Sequence, residues 1–111
     1  MNNYLQDPFD TIIKACTDLY PKLLELEIDI FWDNTLDETT NGLCRRYEDN
    51  SFQITLNLFN ESTSASFLTL IHEITHIIQW TEGREMCHDK HRKQLQKRII
   101  RHLKKRIDVF T

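Results

Sequence analysis

The sequence predicts an α+β domain in which helices flank a small sheet of three strands. Apolar residues recur at helical spacing towards both ends of the chain, and between positions 27 and 58 they alternate with polar residues. The chain has 111 residues, of which 40% are hydrophobic, with only two glycines and two prolines. This length and composition predict a single compact domain over residues 1–111, with one core.

The first predicted element is a helix that begins at Asp7 and Pro8. Asp7 suits the N-cap position and Pro8 suits the first helical position, where its missing N–H is not needed. The apolar positions that follow have helical spacing: Ile12, Ile13, Cys16, Leu19, Tyr20, Leu23 and Leu24. Pro21 should kink or divide this helix, because proline cannot donate the backbone hydrogen bond.

Three short strands are predicted next, because the apolar period changes from helical spacing to two. In the first strand Ile28, Ile30 and Trp32 alternate with aspartates, and in the last strand Phe52, Ile54, Leu56 and Leu58 alternate with polar residues. Residues 43–47 form a plausible strand between them, entered through Asn41-Gly42.

Two helices complete the predicted order α-β-β-β-α-α. The first follows the polar residues 60–64, carries Phe67, Ile71, Ile74 and Ile78 at helical spacing, and ends near Gly83. The second begins at about Lys90 and extends to about 107, with an apolar stripe of five residues: Leu95, Ile99, Ile100, Leu103 and Ile107.

The helix after the strands contains the motif H-E-x-x-H at His72, Glu73 and His76. Residues four apart lie on one face of a helix, so that two imidazoles can bind one ion. Zinc accepts histidine nitrogens, and catalytic zinc sites typically have three protein ligands and a water molecule. Glu73 lies roughly 100° around the helix from His72. It is therefore predicted to be the general base that takes a proton from that water.

A third ligand should follow the turn at Gly83, since two histidines alone hold catalytic zinc poorly. The candidates are His88, His91 and His102, of which His102 lies far along the last helix. Glu82 and Glu85, in the turn itself, are acidic alternatives.

These residues resemble the SprT-like family of zincin metalloproteases, which includes the Spartan protease domain. The resemblance covers most of the chain: an N-terminal helix, the segments IDIFW, NGLCRR and FQITLNL, and then the H-E-x-x-H helix. It implies a minimal zincin-like fold in which the small sheet packs against the motif helix. It also implies zinc-dependent proteolysis, and for Spartan-like members the degradation of proteins bound to DNA.

Family members carry the third histidine in a motif H-G-x-x-F that opens a helix. The most similar stretch here is DKHRKQLQKRI, where His91 matches the histidine, Arg92 replaces the glycine and Leu95 replaces the aromatic residue. The resemblance therefore favours His91 as the third ligand, with His88 as the alternative. Many longer relatives also carry a zinc ribbon, which three scattered cysteines cannot form.

The last part of the chain is strongly basic. Residues 1–89 hold five Lys and Arg against sixteen Asp and Glu, whereas residues 90–111 hold nine Lys and Arg and one Asp. Such a segment either offsets the acidic part of the chain or binds a polyanion such as DNA. The candidate nucleic-acid contacts are Lys93, Lys97, Arg98, Arg101, Lys104 and Lys105.

The sequence predicts a cytoplasmic protein, nucleoid-associated or nuclear if it binds DNA, with no membrane partner. The N-terminus has no signal-peptide pattern, the three cysteines are widely spaced, and no apolar run is long enough to span a bilayer. The leading hypothesis is a zinc metalloprotease that acts on a protein or peptide substrate. The alternative hypothesis is a zinc-stabilised nucleic-acid-binding module with little or no catalysis.

Overall fold

The computed structural model describes residues 3–33, 40–57 and 63–105, and the side chains of 10–33, 40–57 and 66–105. These residues form three α-helices and a three-stranded sheet, which confirms the predicted α+β class. The elements are α1 (Asn3–Leu19), a short 3-10 helix (Pro21–Glu25), β1 (Ile28–Asp33), β2 (Gly42–Arg46), β3 (Phe52–Asn57), α2 (Thr63–Thr81) and α3 (Lys90–Leu103).

The first helix differs from its prediction at the start but agrees at the end. The predicted start at Asp7 is wrong, because α1 begins at Asn3 and continues through Pro8. Proline there removes only one intrahelical hydrogen bond, which a helix of 17 residues can accommodate. Pro21 divides the helical segment as predicted: α1 ends at Leu19, and the 3-10 helix starts at Pro21.

The sheet has the strand order β1-β3-β2, with β1 parallel and β2 antiparallel to the central β3. Its central strand is the most buried, and Phe52, Ile54 and Leu56 point into the core. One predicted strand end differs, because β2 ends at Arg46 and Tyr47 lies just beyond it. Leu58, the predicted last apolar residue of the third strand, lies outside the described residues.

Helix α2 is the centre of the fold, and it contacts β2, β3, α1 and α3. This explains why its apolar residues surround almost the whole helix: Phe67, Leu70, Ile71, Ile74, Ile77 and Ile78 are all buried. Leu95, Ile99 and Leu103 of α3 close the core from the other side, whereas Ile107 lies outside the described residues. Within the described chain, none of the helices has both the length and the apolar character needed to cross a membrane.

Candidate metal centre

Helix α2 places His72 and His76 beside each other, as the four-residue spacing predicts. Their ring centroids are 5.1 Å apart. His72 is half-buried and His76 is only 7% exposed. The apolar flanks of the motif bury most of the helix in the core, while this one face borders a cleft beside β2.

His88 completes a cluster with these two residues. Its Nε2 atom lies 3.0 Å from Nε2 of His72, and its ring centroid lies 4.8 Å from that of His76. One potential ligand atom from each of the three histidines lies within 4.8 Å of the others. The structure therefore brings together three imidazoles from α2 and from the loop that follows it.

His91, the predicted third ligand, lies outside this cluster. His91 lies in the first turn of α3, and its Nε2 atom is 3.0 Å from Oε1 of Glu82, the residue just after α2. Asp89 is the N-cap of α3 and accepts a hydrogen bond from the backbone N–H of Arg92. His88 therefore precedes the helix, and its loop position lets it reach the cluster.

The neighbouring Glu73 has the placement expected of a general base. Its side chain is 7% exposed, and burial raises the pKa of its carboxyl from 4.5 to about 7, although the positive charge of Arg92 acts in the opposite direction. It lines two clefts together with His72. A carboxyl whose pKa lies near neutrality can both accept and release a proton there.

The same environment favours the neutral form of His72 and His76. Burial, followed by the charge of Arg92 and the neighbouring imidazoles, lowers the pKa of His72 from 6.5 to about 4. Burial also lowers the pKa of His76, against a hydrogen bond to Gln79 that raises it. Neutral imidazole is the form that binds a metal ion.

Two residues near the cluster were not predicted to take part. Arg92 is only 6% exposed, and its guanidinium donates hydrogen bonds to Thr75 Oγ1 at 3.3 Å and to Gln96 Oε1 at 2.7 Å. Gln79 is completely buried and contacts both His76 and the loop that carries His88. The sequence signal that could have identified Gln79 is its position as a polar residue within an otherwise apolar helix.

Gly42 brings strand β2 against the motif helix. A Cβ atom at this position would lie 2.6 Å from Thr69 Cγ2 and 3.0 Å from the Thr55 carbonyl oxygen, with Glu73 Cγ at 3.7 Å. Glycine is therefore required for the close approach of the backbone to α2. The result is a cleft with β2 along one side and Glu73 on the other.

Strand β2 is an edge strand of the sheet that the described residues form. Tyr47 N–H donates to the Ser51 carbonyl and Asn57 N–H donates to the Asn41 carbonyl. In the antiparallel register, the odd-numbered residues of β2 are thus the ones bonded to β3. Consequently the N–H and C=O groups of the even-numbered residues, Gly42, Cys44 and Arg46, point away from β3, towards the outer edge of the described sheet.

The remaining candidate ligands lie outside the cluster. His102 lies near the end of α3, with Nε2 3.9 Å from Asp18 Oδ2. Glu82 is paired with His91, and Glu85 is exposed. Cys44 borders the same cleft as the histidines, but burial raises the pKa of its thiol to about 12, with the nearby Glu73 adding to the effect. All three cysteines are free thiols.

The six candidate nucleic-acid contacts all lie on the exposed surface of α3 and the turn after it: Lys93, Lys97, Arg98, Arg101, Lys104 and Lys105. With Lys90, four of them form one stripe opposite the buried face of α3: Lys93, Lys97, Arg101 and Lys104. Arg98 is different, because its guanidinium packs over the Tyr20 ring at 5.5 Å.

The donor set of the cluster fits a zinc ion better than an oxygen-preferring cation. Imidazole nitrogens suit zinc and other late transition metals, whereas magnesium and calcium prefer oxygen ligands. Tetrahedral zinc with bonds of about 2.0–2.1 Å separates its ligand nitrogens by roughly 3.4 Å. The 3.0 Å between Nε2 of His72 and Nε2 of His88 is close to this separation, and the ligand atoms of all three histidines lie within 4.8 Å of one another.

Comparisons of the chain with protein-family models, with curated proteins and with solved structures found no match. The resemblance to the SprT-like family therefore stays a prediction from the residues quoted above. The cluster geometry is the main basis for a functional proposal.

Proposed function

We propose that this chain is a zinc-dependent metalloprotease with a minimal zincin-like fold. The observation that carries the proposal is the placement of three imidazoles beside a buried carboxyl at an open cleft. His72, His76 and His88 would hold the ion, and Glu73 would be the general base. Three protein ligands are typical of catalytic zinc sites, whereas structural zinc sites normally have four.

The residues of the chain divide the chemistry between them. A zinc ion held by the three histidines would supply Lewis-acid chemistry, polarising the substrate carbonyl and lowering the pKa of a water molecule that attacks it. The Glu73 carboxylate accepts a proton from that water and delivers it to the nitrogen of the leaving amine. Burial supports both steps, since a raised pKa makes Glu73 a stronger base than an exposed carboxylate and still allows it to release the proton.

The shape of the site favours an extended peptide as substrate. Two open cavities of about 440 and 410 Å³ flank the cluster and share Gly42, His72 and Glu73. Gly42 lines both cavities and Cys44 lines the one that contains the three histidines, so an extended peptide that pairs with the edge of β2 would run past His72 and Glu73. Such a substrate has to be unfolded or locally flexible at the cleaved bond.

The proposal is tested by replacing Glu73 with Gln. Glu73→Gln should keep one zinc ion per chain and reduce cleavage of an unfolded protein such as β-casein by about 10²–10⁴-fold, because general-base catalysis contributes on that order. Glu85→Gln is the matched control, since Glu85 is exposed in the turn after α2. Equal cleavage by the Glu73 variant and the wild-type chain would exclude Glu73 as the base.

The exposed basic stripe on α3 supports a second candidate function, which is binding to DNA. In this alternative the chain is a zinc-stabilised nucleic-acid-binding module with little or no catalysis. Affinity for a duplex should then fall steeply with salt. Replacing Lys93, Lys97 and Arg101 together by Gln should reduce the slope of log K against log salt by about 2.7, or about 0.9 for each lost phosphate contact. No duplex binding by the wild-type chain at low salt would exclude this candidate.

A further inference from the structure

We infer that Gln79 is a positioning residue that links two of the cluster histidines, orienting the ring of His76 and holding the loop of His88. The inference rests on the proposed metal site and goes beyond it, since Gln79 itself would not touch the ion. Gln79 lies on α2 one turn after His76, and its side chain is completely buried. A buried amide must satisfy its donors and acceptors within the protein.

The orientation of the Gln79 amide is determined by three partners. Its Oε1 atom lies 3.1 Å from the backbone N–H of Cys87, a group that can only donate. Its Nε2 atom lies 3.0 Å from the Cys87 carbonyl oxygen and 3.1 Å from Asp89 Oδ1, both of which accept. If the amide were flipped, its NH₂ group would face the Cys87 N–H, so that two donors would oppose each other.

This orientation determines which nitrogen of His76 carries its proton. Nδ1 of His76 lies 3.1 Å from Gln79 Oε1, which can only accept, so that Nδ1 must donate. A neutral His76 then has its lone pair on Nε2. Gln79 thus prepares the nitrogen that a metal ion requires, in the way that outer partners of metal ligands commonly do.

The other contacts hold the loop between α2 and α3. Gln79 binds both the N–H and the C=O of Cys87, the residue immediately before His88, and it also binds the N-cap Asp89, the residue immediately after. His88 itself is exposed, so that little packing holds its side chain in place. One buried amide therefore holds the backbone immediately before the third histidine and the side chain of the residue immediately after it.

The inference predicts that Gln79 and His88 are energetically coupled in zinc binding. Gln79→Met preserves the length of the side chain while removing the four hydrogen bonds. Zinc dissociation constants, measured by competition with a chromophoric chelator, should rise about 10–100-fold in Gln79→Met, as for other outer partners of metal ligands. His88→Ala should weaken binding by at least about tenfold in the wild-type background but less than about threefold in the Gln79→Met background.

A second readout uses the metal-free protein and ¹⁵N NMR of the histidine rings. The wild-type chain should show His76 as the Nδ1–H tautomer, and Gln79→Met should lose this preference. Ile99→Ala, at a buried residue of α3 outside the cluster, serves as the control for a general loss of stability. It should leave both the tautomer and the His88 effect unchanged.

The outcomes separate this inference from the proposed function. Suppose that the wild-type chain binds zinc, but that Gln79→Met and His88→Ala have independent effects or that the His76 tautomer is unchanged in Gln79→Met. Either result would overturn the role of Gln79 and leave the proposed function intact. Absence of zinc binding by the wild-type chain would overturn the proposed function and this inference with it.

Discussion

Gly42 offers a sharp test of how strand β2 and helix α2 fit together. Gly42→Ala would place a Cβ atom 2.6 Å from Thr69 Cγ2 and 3.0 Å from the Thr55 carbonyl oxygen. Neither neighbour yields easily, because Thr69 is β-branched within a helix and the Thr55 carbonyl belongs to the central strand. Overpacking of this kind typically costs about 1–3 kcal/mol. We expect a loss of that size in the free energy of unfolding, measured by urea denaturation with circular dichroism.

A second substitution tests the cause of that loss. Thr69→Ser removes Cγ2 and keeps the hydroxyl group. The double variant Gly42→Ala/Thr69→Ser therefore lacks the 2.6 Å contact and retains the 3.0 Å contact to Thr55 and the ordinary 3.7 Å contact to Glu73. The double variant should recover at least about half of the stability that Gly42→Ala loses, so that the two substitutions are coupled in the double-mutant cycle. Leu43→Ala, at an exposed position of the same strand, should change stability by less than about 0.5 kcal/mol. The packing argument would be refuted if Gly42→Ala were neutral, or if Thr69→Ser gave no recovery.

Two further predictions concern the electrostatics of the cluster in the metal-free protein. His72 should titrate near pH 4 in an NMR pH titration instead of at the ordinary 6.5, and a value near 6.5 would show that the site is not desolvated. Between these two pH values the unfolded chain binds a proton that folded His72 does not, so this residue makes stability fall as pH falls. Glu73 has the opposite effect on stability between pH 4.5 and about pH 7, because its carboxyl retains the proton in the folded state and loses it in the unfolded chain. Titrating each residue individually by NMR therefore separates the two effects. Arg92→Met should raise the pKa values of both His72 and Glu73, because the guanidinium charge disfavours a charged imidazolium and favours a charged carboxylate. Unchanged pKa values in the same titration would show that the Arg92 charge does not act on the site.

Local patterns were sufficient to predict much of the fold. The α+β class follows from the change of apolar period, and the division of the first helical segment follows from Pro21. The proximity of His72 and His76 follows from the helical repeat, which needs no knowledge of the rest of the chain.

The third histidine could not be predicted in the same way, because its position depends on tertiary contacts. His88 and His91 are three residues apart, and either can follow the turn at Gly83. The choice between them depends on the buried amide of Gln79, which binds the loop, and on Asp89, which begins α3 directly after His88. The resemblance to a family motif favoured a histidine inside the helix, whereas here the first turn directs that histidine to Glu82.

Gly42 and Arg92 show the same limit of sequence reasoning. The spacing of residues does not reveal that a strand passes within contact distance of Thr69, or that a cation in a basic segment is buried beside the cluster. Both facts depend on how α2 packs against elements that lie distant in sequence.

The central claim, that His72, His76 and His88 form a zinc site, is tested most directly by zinc titration calorimetry of three proteins. The wild-type chain and His91→Ala should each bind one zinc ion with similar affinity, because the His91 side chain is paired with Glu82 and lies outside the cluster. His88→Ala should bind at least about tenfold more weakly, through loss of one of three ligands. Weakened binding in His91→Ala together with unchanged binding in His88→Ala would contradict the account.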